Sequence, residues 1–186
     1  MKDVAVVAYC RTGIARATRG ALNQTHGIPM TAHVLRHAVK RAGIDPVEVE
    51  DVVVGCGLPE GATGHNIARN AALEAGFGDA VPGMTVNRYC GSGLSAASIV
   101  ANRIAAGEAT IAIAAGVESI SLVQFNLNIW PSIVKIFPRN IVSCAHEFQR
   151  VRVGCRNRAE RRCAEQRIDV CKDVDEGPRI VGIGSA

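Results

Sequence analysis

Four short apolar runs recur along the first two thirds of the chain, and the first three are each followed by a segment of helical character. They are Asp3–Cys10 (DVAVVAYC), Val49–Gly55 (VEDVVVG), Met84–Asn87 (MTVN) and Thr110–Ala115 (TIAIAA). Near-continuous β-branched runs suit strands covered on both faces, and such strands are joined in parallel through crossover helices. The intervening segments supply those helices. Thr31 is placed to cap a helix through Ala42, with Val34, Leu35, Ala38 and Val39 on its apolar face and Gly43 as its stop. The chain from Arg11 to about Pro29 reads as loop, and Asp45-Pro46 as a turn. A second helix is expected from about Asn66 to Ala75, stopped at Gly76. A third is expected from about Gly91 to Ala106, with Leu94, Ala97, Ala101 and Ile104 on one face and Gly107 ending it. The pattern β-α-β-α-β-α-β predicts an α/β fold, a parallel-type sheet with helices on both faces. Ligands of such sheets bind beyond the carboxyl ends of the strands.

Cys90 falls at one of those ends. It stands in Val86-Asn87-Arg88-Tyr89-Cys90-Gly91-Ser92-Gly93-Leu94, after the third strand and before the third helix. The start of a helix favours negative charge, and a cysteine placed there suits a nucleophile aimed at an acyl group. Gly91 and Gly93 keep the approach to sulfur open. Cys10 and Cys56, in or beside strands, read as small buried hydrophobes.

Composition removes other classes. Aromatic residues make up 4% of the 186, too few for a platform that stacks nucleic-acid bases. No stretch reaches the ~20 apolar residues of a membrane-spanning helix. The apolar run after Met1-Lys2-Asp3 is shorter than a signal peptide requires. Seven cysteines form no disulfide framework, so reduced thiols and a cytoplasmic location are expected. His33 and His37 have a spacing compatible with metal binding, but no third ligand accompanies them, and no metal is expected. The glycine-rich segments at residues 55–57 and 61–64 lack a phosphate-loop pattern.

Charge divides the chain. Residues 1–126 hold ten basic and ten acidic residues, whereas residues 127–186 hold eleven and seven, so the net +4 lies wholly in the last third. That third also holds nine of the seventeen arginines and four cysteines, Cys144, Cys155, Cys163 and Cys171. A helix over about Ser143–Gln166 would lack a clean apolar face, and no further βα unit is legible.

The segment VNRYCGSGLSAA (Val86–Ala97) resembles the active-site signature of the thiolases, the acetyl-CoA acetyltransferases and 3-ketoacyl-CoA thiolases. Three collinear segments extend the resemblance: VVAYCRTGIARATRGAL (Val6–Leu22), GHNIARNAAL (Gly64–Leu73) and GVESIS (Gly116–Ser121). Gly13 stands where the family usually has proline. The resemblance implies residues 1–126 as the thiolase-like first half of a two-domain fold, with Cys90 as the nucleophile carrying an acyl-thioester intermediate. It implies acyl exchange between acetyl-CoA or acyl-CoA and 3-oxoacyl-CoA, with coenzyme A thioesters as substrates and no bound cofactor. Homo-oligomerisation as dimer or tetramer is expected, and no nucleic-acid or membrane partner.

The family's later motifs are not found: a Gly-His-Pro histidine, an Asn-Glu motif and a late Cys-x-Gly acid/base cysteine. Residues 127–186 therefore read as a truncated or out-of-frame continuation, and the activity as impaired. Two alternatives stand beside the leading one. One is a catalytically incomplete fragment that pairs with a partner through its sheet edge at Met84–Asn87; the other is a β-ketoacyl synthase-like condensing enzyme.

Overall fold

The computed structural model describes residues 3–124 and 179–183. The element order is β1 (Ala5–Cys10), α1 (Gly27–Ala42), β2 (Asp51–Gly55), α2 (Ile67–Glu74), β3 (Gly83–Val86), α3 (Ser92–Ala106), β4 (Ile111–Gly116) and β5 (Arg179–Ile183). The five strands form one sheet in the order β1-β5-β4-β2-β3. All its neighbouring pairs are parallel. The fold is α/β, as the recurring apolar runs predict.

Alternation along the central strands sorts side chains between two cores. Val52 and Val54 of β2 and Ile113 and Ala115 of β4 pack with Leu35, Val39, Ile67 and Ala71 of α1 and α2. Val53, Ala112 and Ala114 face the other way, against Ala96, Val100 and Ile104 of α3. Every residue of β2 is buried, which explains its uninterrupted apolar run. Its first residue, Asp51, is the exception in chemistry, and it is paired with Arg103 of α3. Burying a valine or isoleucine side chain stabilises by about 1.5–3 kcal/mol, so Val53, Val100 and Ile104, packed with four alanines, anchor α3 to the sheet.

Four expectations are corrected. β1 is not covered on both faces: it is an edge strand, with Val6 66% and Tyr9 54% exposed, and only Ala8 fully buried. α1 begins four residues before Thr31, capped by His26, whose Nδ1 accepts the Ile28 N–H. Pro29 occupies its first turn, where a missing N–H costs nothing, so it does not end the preceding loop. The buried stripe of α3 is Ser92, Ala96, Val100 and Ile104, and Leu94 is 73% exposed. Lastly, a fifth strand arises from beyond residue 126 and lies between β1 and β4. The expected helix over Ser143–Gln166 lies outside the described residues.

β3 lies at the other edge of the sheet. Among the described residues no helix is long and apolar enough to cross a membrane.

Candidate active site

The carboxyl ends of β2, β3 and β4 lie side by side, with Gly55 level with Val86 on one flank and Gly116 on the other. Beyond them the chain makes a turn from Asn87 to Gly91 and enters α3. The Cys56 N–H donates to Val86 O at 3.0 Å, tying the exits of β2 and β3 together. Asn87 then folds back on itself: its Oδ1 accepts the Tyr89 N–H at 2.9 Å, an Asx turn. Tyr89 is left-handed, with φ of 48°, a conformation that costs a non-glycine residue on the order of 1–3 kcal/mol.

Ser92 holds this turn closed. Its Oγ accepts the Arg88 N–H at 2.8 Å and donates to Tyr89 O at 2.6 Å. The Gly91 and Ser92 N–H groups return to Arg88 O and Tyr89 O, each at 3.0 Å. At its far end the turn presents Cys90, the exposed cysteine among the three described; Cys56 is buried and Cys10 partly so. Gly93 has open space around its Cα, and Gly91 meets only Arg88 near its Cα, so neither obstructs the thiol. The Cys90 N–H makes no hydrogen bond to a described residue.

Gly55 is required for this arrangement. A side chain there would come within 2.5 Å of the Gly93 nitrogen and closer still to the Ser92 carbonyl. The end of β2 and the start of α3 therefore touch backbone to backbone, and that contact sets the height of Cys90 over the sheet.

A second layer lies under the turn. Glu118, in the loop after β4, is half-buried, and its carboxylate accepts the Gly57 N–H. Burial lifts the Glu118 carboxyl above the usual carboxylate range, while the Gly57, Leu58 and Cys56 donors oppose the shift. The Cys56 thiol is pushed up to about 11, first by burial and then by the charge of Glu118. Cys56 is thus a neutral thiol at physiological pH. In the short helical turn that follows, Ile120–Gln124, Ser121 Oγ accepts the Thr18 N–H at 2.9 Å and donates to Asn23 Oδ1 at 2.8 Å, anchoring the long loop between β1 and α1.

The other flagged residues lie elsewhere. Cys10 donates its S–H to Val34 O at 3.2 Å, consistent with a packing role. His33 and His37 lie side by side on the outer face of α1, their rings tilted by 51° with centroids 4.4 Å apart. An open cavity of about 670 Å³ between the post-β1 loop and α1 is lined by Arg11, Met30 and His33, away from Cys90. Sequence reasoning missed the role of Glu118. It noted GVESIS only as a resemblance, and nothing local signals that the carboxylate reaches back 61 residues to Gly57.

Comparison with known proteins accounts for this geometry. Residues 4–136 match the family model described as "Thiolase, N-terminal domain". The chain is 46% identical over 119 residues to the peroxisomal 3-ketoacyl-CoA thiolase 5 of Arabidopsis thaliana, covering 64% of this chain and 26% of that protein. It is 39% identical over 128 residues to the acetyl-CoA acetyltransferase of Escherichia coli, covering 69% and 32%. The crystal structure of the Bacillus anthracis acetyl-CoA acetyltransferase superposes with a TM-score of 0.63 at 37% identity, covering 66% of this chain and 31% of that one. The matched stretch thus spans about a quarter to a third of the length of these relatives. With its signature turn, its sheet and its sequence in agreement, the chain belongs to the thiolase family, through that family's N-terminal domain.

Proposed function

We propose that this chain is the acyl-accepting part of a thiolase-type acyltransferase, with Cys90 as the nucleophile. The exposed thiol at the tip of a strained, hydrogen-bonded turn at the start of α3 carries this reading. The sulfur attacks the thioester carbonyl of an acyl-CoA. A bond forms between the acyl carbon and Cys90 Sγ, the bond to the coenzyme A sulfur breaks, and the thiol proton leaves with free coenzyme A. The negative oxygen of the tetrahedral intermediate is met by the Cys90 N–H, which is not committed to another described residue. The α3 N-terminus favours the same charge. The relatives named as acetyl-CoA acetyltransferase and 3-ketoacyl-CoA thiolase support acyl-CoA as the substrate class.

The second half of a thiolase reaction removes a proton from acetyl-CoA and joins its carbanion to the acyl group. The histidine and second cysteine expected to do this are not legible in the sequence. We therefore assign the acylation step to this chain, through Cys90. The half-reaction is measured by exchange of labelled coenzyme A into acetyl-CoA. Exchange that Cys90→Ala abolishes supports the reading, and exchange that survives Cys90→Ala refutes it.

β3 favours one addition. It is an edge strand beside the exposed Tyr89 and Leu94, and Met84 within it is 37% exposed. Pairing of this edge with a second copy would cover unpaired backbone and apolar surface together.

A further inference from the structure

We infer that Glu118 is a positioning residue for the Cys90 backbone amide, acting through Gly57 and the carbonyl of Tyr89. The inference rests on the acyl-accepting role proposed for Cys90 and adds the group that aims its oxyanion donor.

The connection runs through four contacts. The Glu118 carboxylate accepts the Gly57 N–H and so fixes the backbone that leaves β2. Gly57 is wedged between two groups: a side chain there would lie 2.9 Å from Glu118 Oε1 and 3.2 Å from Tyr89 O. The Tyr89 carbonyl is thus backed by Gly57 while it accepts both the N–H and the hydroxyl of Ser92. That carbonyl belongs to the same peptide unit as the Cys90 N–H. The peptide is planar and trans, so its N–H points opposite to its C=O. A carbonyl seated on Gly57 and Ser92 directs the Cys90 N–H away from the protein, to the side where the thiol is exposed.

Two observations give Glu118 a purpose beyond filling space. Burial of its carboxyl is unfavourable, as the lifted pKa shows, and the carboxylate is nevertheless spent on the Gly57 N–H. Tyr89 is also held in a conformation that a non-glycine residue adopts only when its surroundings enforce it. An apolar side chain at position 118 would fill the space but leave the Gly57 N–H unpaired. The segment would then be free to shift from beneath Tyr89, and the strained peptide would relax.

Two reactions of Cys90 separate positioning from general damage. Alkylation by iodoacetamide is a displacement at carbon and develops no oxyanion. Acetylation by p-nitrophenyl acetate passes through a tetrahedral oxyanion and needs no recognition of coenzyme A. In the full chain, Glu118→Met, which removes the acceptor of the Gly57 N–H, is expected to slow acetylation of Cys90 about ten-fold, a fraction of what losing a donor outright costs. Alkylation is expected to stay within about two-fold, because the helix start and the exposure of the thiol are unchanged. Gly57→Ala, whose added methyl presses on Tyr89 O, is expected to give the same split and carries the test if Glu118→Met does not fold. An unchanged acetylation rate overturns the inference, and so does an equal fall in both rates. A wild-type chain that accepts acetyl from p-nitrophenyl acetate but not from acetyl-CoA would refute the proposed function and leave this inference standing.

Discussion

Cys10, Cys56 and Cys90 sit in three environments, and reactivity should follow them. Cys90 is exposed, Cys10 is half-buried against Val34 O, and Cys56 is buried with its thiol raised to about 11. The thiolate is the reactive form, so at neutral pH Cys90 should take up iodoacetamide first and Cys56 only after unfolding. Peptide mapping by mass spectrometry gives the order, and early labelling of Cys56 would contradict its environment. Glu118 gives a pH prediction of definite sign. Its folded pKa lies above the ordinary value of 4.5, so its stabilising contribution is complete below 4.5 and is lost as pH rises through the folded value. Urea titrations over that window should show wild type losing stability relative to Glu118→Gln, and parallel curves would contradict the shift. At this scale Cys90 was legible, because strand, turn glycines and helix surround it in eleven consecutive residues, Thr85–Ser95. Glu118 was not, because its partners are distant in the chain.

Helix α3 shows where pattern reading loses resolution. With six alanines, glycines or serines and a single leucine among its first seven residues, the sequence suggests that Leu94 faces the core. The helix instead buries its small residues Ser92 and Ala96, and it does so because β2 passes directly beneath at Gly55. Only a small side chain fits there, and the leucine turns outward. Ile104, at the wider end of the same stripe, is fully buried. Ile104→Ala is therefore expected to cost about 3 kcal/mol in chemical denaturation. Leu94→Ala should stay within about 0.5 kcal/mol. Equal costs at the two positions would contradict the observed face. α1 was read better, since Val34, Leu35, Ala38 and Val39 are all buried as the periodicity requires. Its start was missed because His26 caps it and a proline stands in its first turn.

For the whole molecule, β1 and β5 matter most. Within the described sheet β1 is joined to the remaining strands only through β5, which pairs with β1 on one side and β4 on the other. Val181 lies in both ladders, opposite Ala8 and Ile113. A proline there removes a backbone donor from a strand that has neighbours on both sides, a position sheets do not tolerate. Val181→Pro is expected to abolish the cooperative thermal transition followed by circular dichroism, whereas an unchanged melt would place β5 outside the sheet. This strand was invisible in the sequence: it lies after a long Arg-rich stretch, and its five residues Arg-Ile-Val-Gly-Ile are not followed by a helical segment. The other four strands were legible because apolar run and helix alternate around them. The central claim is that this sheet and α3 hold Cys90 ready to accept an acyl group. It is tested most directly by incubating the full chain with acetyl-CoA, quenching in acid and mapping the peptides by mass spectrometry. The account predicts an acetyl group on Cys90, absent from Cys90→Ala and removed by added coenzyme A. An unmodified Cys90 in a folded chain whose Cys90 still reacts with iodoacetamide would contradict it.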